Sequence, residues 1–197
     1  MDQAILAARL AACRLRGVRP PAGLRRSLRQ MHRNFVFMPP MAPACCLAGQ
    51  CLGELSLILG DVVPVLPGHI SCRAEGELLA PASPGALGRF LLLLIGALMP
   101  PYPNWRLSLF AYPANGRVCV QVFFYNCAQK MPPRSLCRSA NRWAAERGGM
   151  VLFSGRGALL VLPKGRGQPL PPGYSLWARD RYSPVYALLP LRLILPD

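Results

Sequence analysis

Between Trp105 and Tyr125 apolar and polar side chains alternate with a period of two. Val118, Val120, Val122 and Phe124 make one face of a strand; Arg117, Cys119, Gln121, Phe123 and Tyr125 make the other. Trp105, Leu107, Leu109 and Ala111 give the preceding strand a matching apolar face. Asn115-Gly116 lies between them, a pair that tolerates the positive φ of a tight hairpin turn. The spacing predicts a hairpin whose apolar face needs further layers behind it. Arg117, Gln121 and Tyr125 fall on its exposed face, which is at most a partner surface.

Elsewhere the period is helical. Residues 3–16 and Leu24 to His32 predict two short basic helices, the first ended by Gly17 and Pro20-Pro21. Residues 34–43 predict a short strand and a proline turn. Cys45 to Leu59 is apolar at helical spacing, and Gly60-Asp61 is expected to stop it. Pro64 makes Val62 to Leu66 an edge strand or an extended linker. Ser83-Pro84 is an N-cap followed by a proline at the first helical position, so a largely buried helix should run to about Met99. Ser135 is the expected cap of a third helix with Leu136, Ala140, Trp143 and Ala144 on one side and Gly148-Gly149 at its end. Met150–Phe153 and Ala158–Leu162 predict a second strand pair. Ser175–Ala178 and Leu191–Leu195 are candidate closing strands.

This order predicts an α+β fold: an antiparallel sheet built on hairpins and packed by several short helices. It divides into a basic helical N-terminal arm, 1–34, and a single α+β domain, 35–197. No motif repeats. The longest apolar run, Phe90 to Met99, is about half the ~20 residues that span a bilayer, so no membrane helix is expected. Asp2 and Arg9 do not fit a secretory signal.

Charge changes the picture. The 197 residues carry a net charge of +15. Residues 1–33 hold eight arginines against one acid, Asp2. Arg14, Arg16, Arg25, Arg26 and Arg29 are candidate nucleic-acid contacts, with Trp105 or Tyr125 as stacking groups. The arm reads equally as a solvated helix pair. Only Lys130 and Lys164 are lysines, which points to GC-rich coding as a second source of the basicity.

Catalytic chemistry has little to draw on. There are two histidines and eight acids, scattered, with no nucleophile elbow or phosphate loop. The chain is therefore read as non-enzymatic. Eight cysteines without a secretory signal point to a reduced, intracellular protein. Cys46 or Cys51 with His69 and Cys72 offer a possible zinc set, since zinc takes four thiolate or imidazole ligands. Free core thiols are the alternative.

Leu47, Cys51 and Leu55 stand at i, i+4 and i+8, one face of a helix. The plain reading is a core stripe. The pattern also resembles the elongin-binding box of ubiquitin-ligase adaptors, a helix-in-groove mode. Cys46 stands where that box carries Ser, Thr or Pro. Leu66-Pro67 resembles the element that selects a cullin. In family order, Cys45-Cys46, Cys72 with Gly76, Gly96-Ala97, Asn126 with Met131-Pro132, and Gly155-Arg156-Gly157 before Ala158–Leu162 follow one another. By these pieces, residues 45–165 resemble the adenovirus early-region-four 34-kilodalton protein family and its avian relatives. The resemblance implies a viral early protein of the host nucleus and cytoplasm, bringing elongin C and a cullin to cellular targets. It also implies zinc.

Overall fold

The computed structural model describes residues 44–62, 69–100, 105–127 and 131–169, with 21 and 23. The N-terminal helices, the strand at 34–43, the linker at 63–66, the closing strands and the arginines of the arm lie outside the described residues. So do Leu66 and Pro67.

The hairpin forms as the alternation predicts. Strands β4 (Arg106–Ala114) and β5 (Arg117–Tyr125) pair antiparallel from Ala114↔Arg117 to Arg106↔Tyr125. The turn takes positive φ at both central residues, 49° at Asn115 and 71° at Gly116. That twist matches the twist of the strands it joins. Strands β6 (Met150–Ser154) and β7 (Gly157–Pro163) form the second pair, with β7 against β5.

Three strands precede them: β1 (Cys46–Leu47), β2 (His69–Ala74) and β3 (Leu79–Ala80). β1 and β3 form a two-stranded ladder. The main sheet runs β2-β4-β5-β7-β6. It corrects the all-antiparallel expectation, because β2 pairs parallel to β4. A parallel neighbour needs a crossover rather than a hairpin. Helix α2 (Pro84–Leu98) lies on that crossover.

Helix α2 starts as read. Ser83 Oγ accepts from the Ala86 N–H at 3.2 Å, and Pro84 opens the helix. Helix α1 spans Ala48–Val62, so it begins later than expected and runs through Gly60-Asp61. Tertiary packing on β2 and α2 outweighs the cost of a helical glycine, about 1 kcal/mol. Gly49 has a positive use: a Cβ there would stand 2.9 Å from the Ala74 Cβ, so the glycine lets α1 approach β2. Helix α3 (Arg134–Ala145) is capped by Pro133 without a side-chain bond, and Ser135 lies inside the first turn rather than at its cap. Asn141 fastens α3 to β6: its Oδ1 accepts from the Val151 N–H at 2.9 Å.

The three helices of the described residues feed one core. Leu52, Leu55 and Leu59 from α1, Leu87, Leu91 and Ile95 from α2, and Ala140, Trp143 and Ala144 from α3 join the inward residues of the sheet. Those are Leu107, Leu109, Ala111, Val118, Val120, Val122, Phe124, Val151, Ala158, Leu160 and Leu162. Phe90 stacks on Trp143 at 4.0 Å between ring centres, joining α2 to α3. Among the described residues, no helix is long and apolar enough to cross a membrane.

Candidate functional site: the outer face of the sheet

The same alternation that sends one set of side chains inward sends the other outward. Register places the outward set in rows. One row reads Arg73, Phe110, Gln121, Leu159 and Leu152 from edge to edge. The next reads Tyr112, Cys119, Val161 and Met150. On the other side, Ser71, Ser108, Phe123, Gly157 and Ser154 align, and Arg106 opposes Tyr125 beyond them.

This face carries four aromatic rings in two pairs. Phe110 and Tyr112 stack at 5.0 Å with their planes 25° apart. Phe123 and Tyr125 meet edge to face at 4.8 Å. Tyr125 is 49% exposed, Met150 46% and Leu152 54%, although each would lose free energy in water. Around them stand Arg73, Arg106 and Arg117, all exposed. Arg73 lies 5.7 Å over the Phe110 ring and 3.5 Å from Glu75. Arg117 donates to the Gly148 carbonyl at 3.5 Å. No acidic residue occurs in any of the five strands. The Tyr112 hydroxyl is pushed above its ordinary pKa, first by burial and then by Cys119, so it stays a neutral donor.

At the Tyr125 end the face opens into a cavity of about 560 Å³. Ile70, Ser71, Arg106, Leu107, Tyr125 and Asn126 line it. Asn126 follows β5 with φ of 56°, where the strand leaves its ladder. Ser71 Oγ donates to the Leu107 carbonyl at 3.4 Å and keeps its lone pairs free to accept.

The residues singled out by spacing fall elsewhere. Leu47 lies in β1 and not on the helix, so the stripe at i, i+4 and i+8 does not form. Cys51 and Leu55 are 5% and 2% exposed and belong to the chain's own core. Both side chains pack within the core, as the plain reading of the stripe has it. Cys46 is buried and its thiol pushed up to about 12, by desolvation and then by Cys45. Cys51 is pushed well above its ordinary value by the same burial, and its thiol donates to the Pro84 carbonyl at 3.7 Å. Cys72 is exposed, on β2 with His69. Positions three apart in a strand belong to opposite faces. Among the described residues no three His, Cys, Asp or Glu side chains gather as a metal site. Trp105 is 4% exposed and packs edge-on against Phe124, so it is core rather than a stacking group. Tyr125 is available. Phe110, Tyr112 and Phe123 went unread as site residues, although their alternation with the core set marked them.

No protein-family model and no curated protein matches the chain. Solved structures resemble it in fold. The catalytic domain of histidine kinase ThkA aligns with a TM-score of 0.52 at 14% identity, over 63% of this chain and 99% of that one. Histidine kinase AdeS of Acinetobacter baumannii aligns at 0.54 and 9% identity, over 83% and 94%. Full-length ShkA in complex with AMPPNP aligns at 0.50 and 16%, over 84% and 44%. The chain thus shares the α+β fold of histidine kinase catalytic domains: a mixed five-stranded sheet under three helices.

Proposed function

We propose that this chain is a non-enzymatic, basic nucleic-acid-binding accessory protein that works through the outer face of its sheet. The observation that carries the reading is the four-ring surface bounded by Arg73, Arg106 and Arg117, in a sheet whose strands contain no acid. Arginine meets phosphate with a planar fork of donors; Glu75 pairs with Arg73 at the sheet edge, which leaves Arg106 and Arg117 as the stronger contributors. The whole-chain charge of +15 acts in the same direction at longer range. The arginines of the arm, Arg14 to Arg29, would add to this attraction.

Titration of the full chain with labelled nucleic acid across a salt series tests the reading. The logarithm of the affinity should fall linearly with the logarithm of salt concentration. An affinity indifferent to salt, or no binding at low salt, would sink it.

A second reading, nucleotide binding, is favoured by the likeness to histidine kinase catalytic domains, since ShkA was solved with AMPPNP. Phosphoryl transfer needs groups that hold magnesium and cradle phosphates. Calorimetric titration with ATP and magnesium separates this reading from the first. The adaptor reading that comes with the adenovirus resemblance would require α1 to release Cys51 and Leu55 from the core before elongin C could engage them. Pull-down of elongin C by the folded chain tests it directly.

A further inference from the structure

We infer that the ligand of the outer face is a single strand, with its bases stacked on Tyr125 and neighbouring rings and one base seated in the cavity beside Asn126. This rests on the nucleic-acid reading and names the form of nucleic acid and its register.

Geometry separates single strand from duplex. The face is five strands wide, about 19 Å at the usual strand spacing. A major groove is about 12 Å wide and admits a helix or a two-stranded ribbon. The sheet cannot enter it. Duplex bases also hide their flat faces in the stack, so an exposed ring such as Tyr125 finds nothing there to stack on. A single strand offers every base face, and aromatic residues on open sheets use this mode. The Phe123 and Tyr125 rings stand 4.8 Å apart with their planes 67° to one another, whereas stacked bases lie parallel at a rise of about 3.4 Å. Bases lying over Phe123 and Tyr125 would therefore be splayed from one another, as a flexible strand allows.

The cavity fits the end of that path. A base stacked on Tyr125 reaches the cavity lined by Ile70, Ser71, Arg106, Leu107 and Asn126. The Asn126 amide can both donate and accept, the Ser71 hydroxyl can accept, and Arg106 can meet a base edge or the adjoining phosphate. Arg117 and Arg73 lie toward the opposite end of the face, where the backbone would leave.

The test uses the full chain and fluorescence anisotropy. Probes are one mixed sequence of roughly twelve nucleotides, within the span known for single-strand sites, as DNA, as RNA and as the DNA duplex. Both single strands should bind more tightly than the duplex, and the two single-strand arms show whether the 2′-hydroxyl matters. Tyr125→Ala should weaken single-strand binding by about 5- to 150-fold, since stacking on one base has that range. Tyr125→Phe should restore it. Arg106→Ala should lower the salt slope by about 0.7, the value for one phosphate of a single strand. Arg138→Ala, an exposed arginine on α3, supplies the same charge loss away from the face. Circular dichroism checks that each variant is folded. Equal binding of duplex, or an unchanged affinity in folded Tyr125→Ala, overturns the inference while leaving the nucleic-acid reading standing. Loss of binding to every probe removes both. Self-association of the chain that Leu152→Arg abolishes, with single-strand affinity unchanged, assigns the face to a second copy and also overturns the inference.

Discussion

The two faces of one sheet answer to different demands. On the inner face Val118, Val120, Val122 and Phe124 are held by three helices, and none is more than 1% exposed. On the outer face Phe123 and Tyr125, their neighbours in sequence, meet no helix of the described residues. Burying a large apolar side chain contributes roughly 1.5–3 kcal/mol, and the outer rings forgo much of that. A sheet that tolerates the loss on one side keeps its stability on the other. Stability and recognition can therefore be altered almost independently, by moving one residue along β5.

Phe124→Ala should break the inner face hardest. It empties a fully buried ring position beside Trp105 and should cost about 3–5 kcal/mol in denaturant unfolding. If Tyr125→Ala cost as much, the division between the faces would be wrong.

Gly49→Val comes next. Its side chain meets Ala74 and pushes α1 off β2, with an expected loss of about 1–3 kcal/mol. An unchanged midpoint would mean that the close approach is unnecessary.

The thiols give a pH prediction. A thiol with raised pKa stabilises the fold while it is neutral in both states. For Cys46 that contribution is whole below about pH 9 and is lost as pH rises toward about 12. Cys51 acts in the same direction. Alkaline unfolding should therefore begin above pH 9, and Cys46→Ala should make it shallower.

Ser83→Ala should cost about 1 kcal/mol by removing the cap of α2. The smallest effect belongs to the outer face: Tyr125→Ala should change stability by less than about 0.5 kcal/mol while changing binding most. A large thermal shift in that variant would place Tyr125 with the core.

Local pattern made much of this legible. The hairpin turn, the cap of α2 and the second strand pair each follow from residues adjacent in the chain. β2 did not announce itself. Ile70, Cys72 and Ala74 alternate with polar residues, but the stretch is short, and its parallel partner comes after a helix. Nothing local encodes that pairing. The spacing of His69 and Cys72 suggested a metal pair, because ligand spacing takes no account of the strand on which both residues stand. Leu47 shows the complementary failure: helical spacing reached back through β1, of which it is the last residue. The outer rings were visible in the alternation, but exposure alone does not distinguish a scaffold from a surface in use.

The parallel placement of β2 also sets an order in time. β4 and β5 meet across two residues and can pair within microseconds. β2 cannot join until the crossover through α2 has closed, and that longer closure carries its entropy before any contact repays it. Ile70 and Ser71 form one wall of the cavity. The pocket beside Asn126 is thus completed only after that crossover closes, and fraying of the β2 edge would dismantle it while the hairpin remained intact.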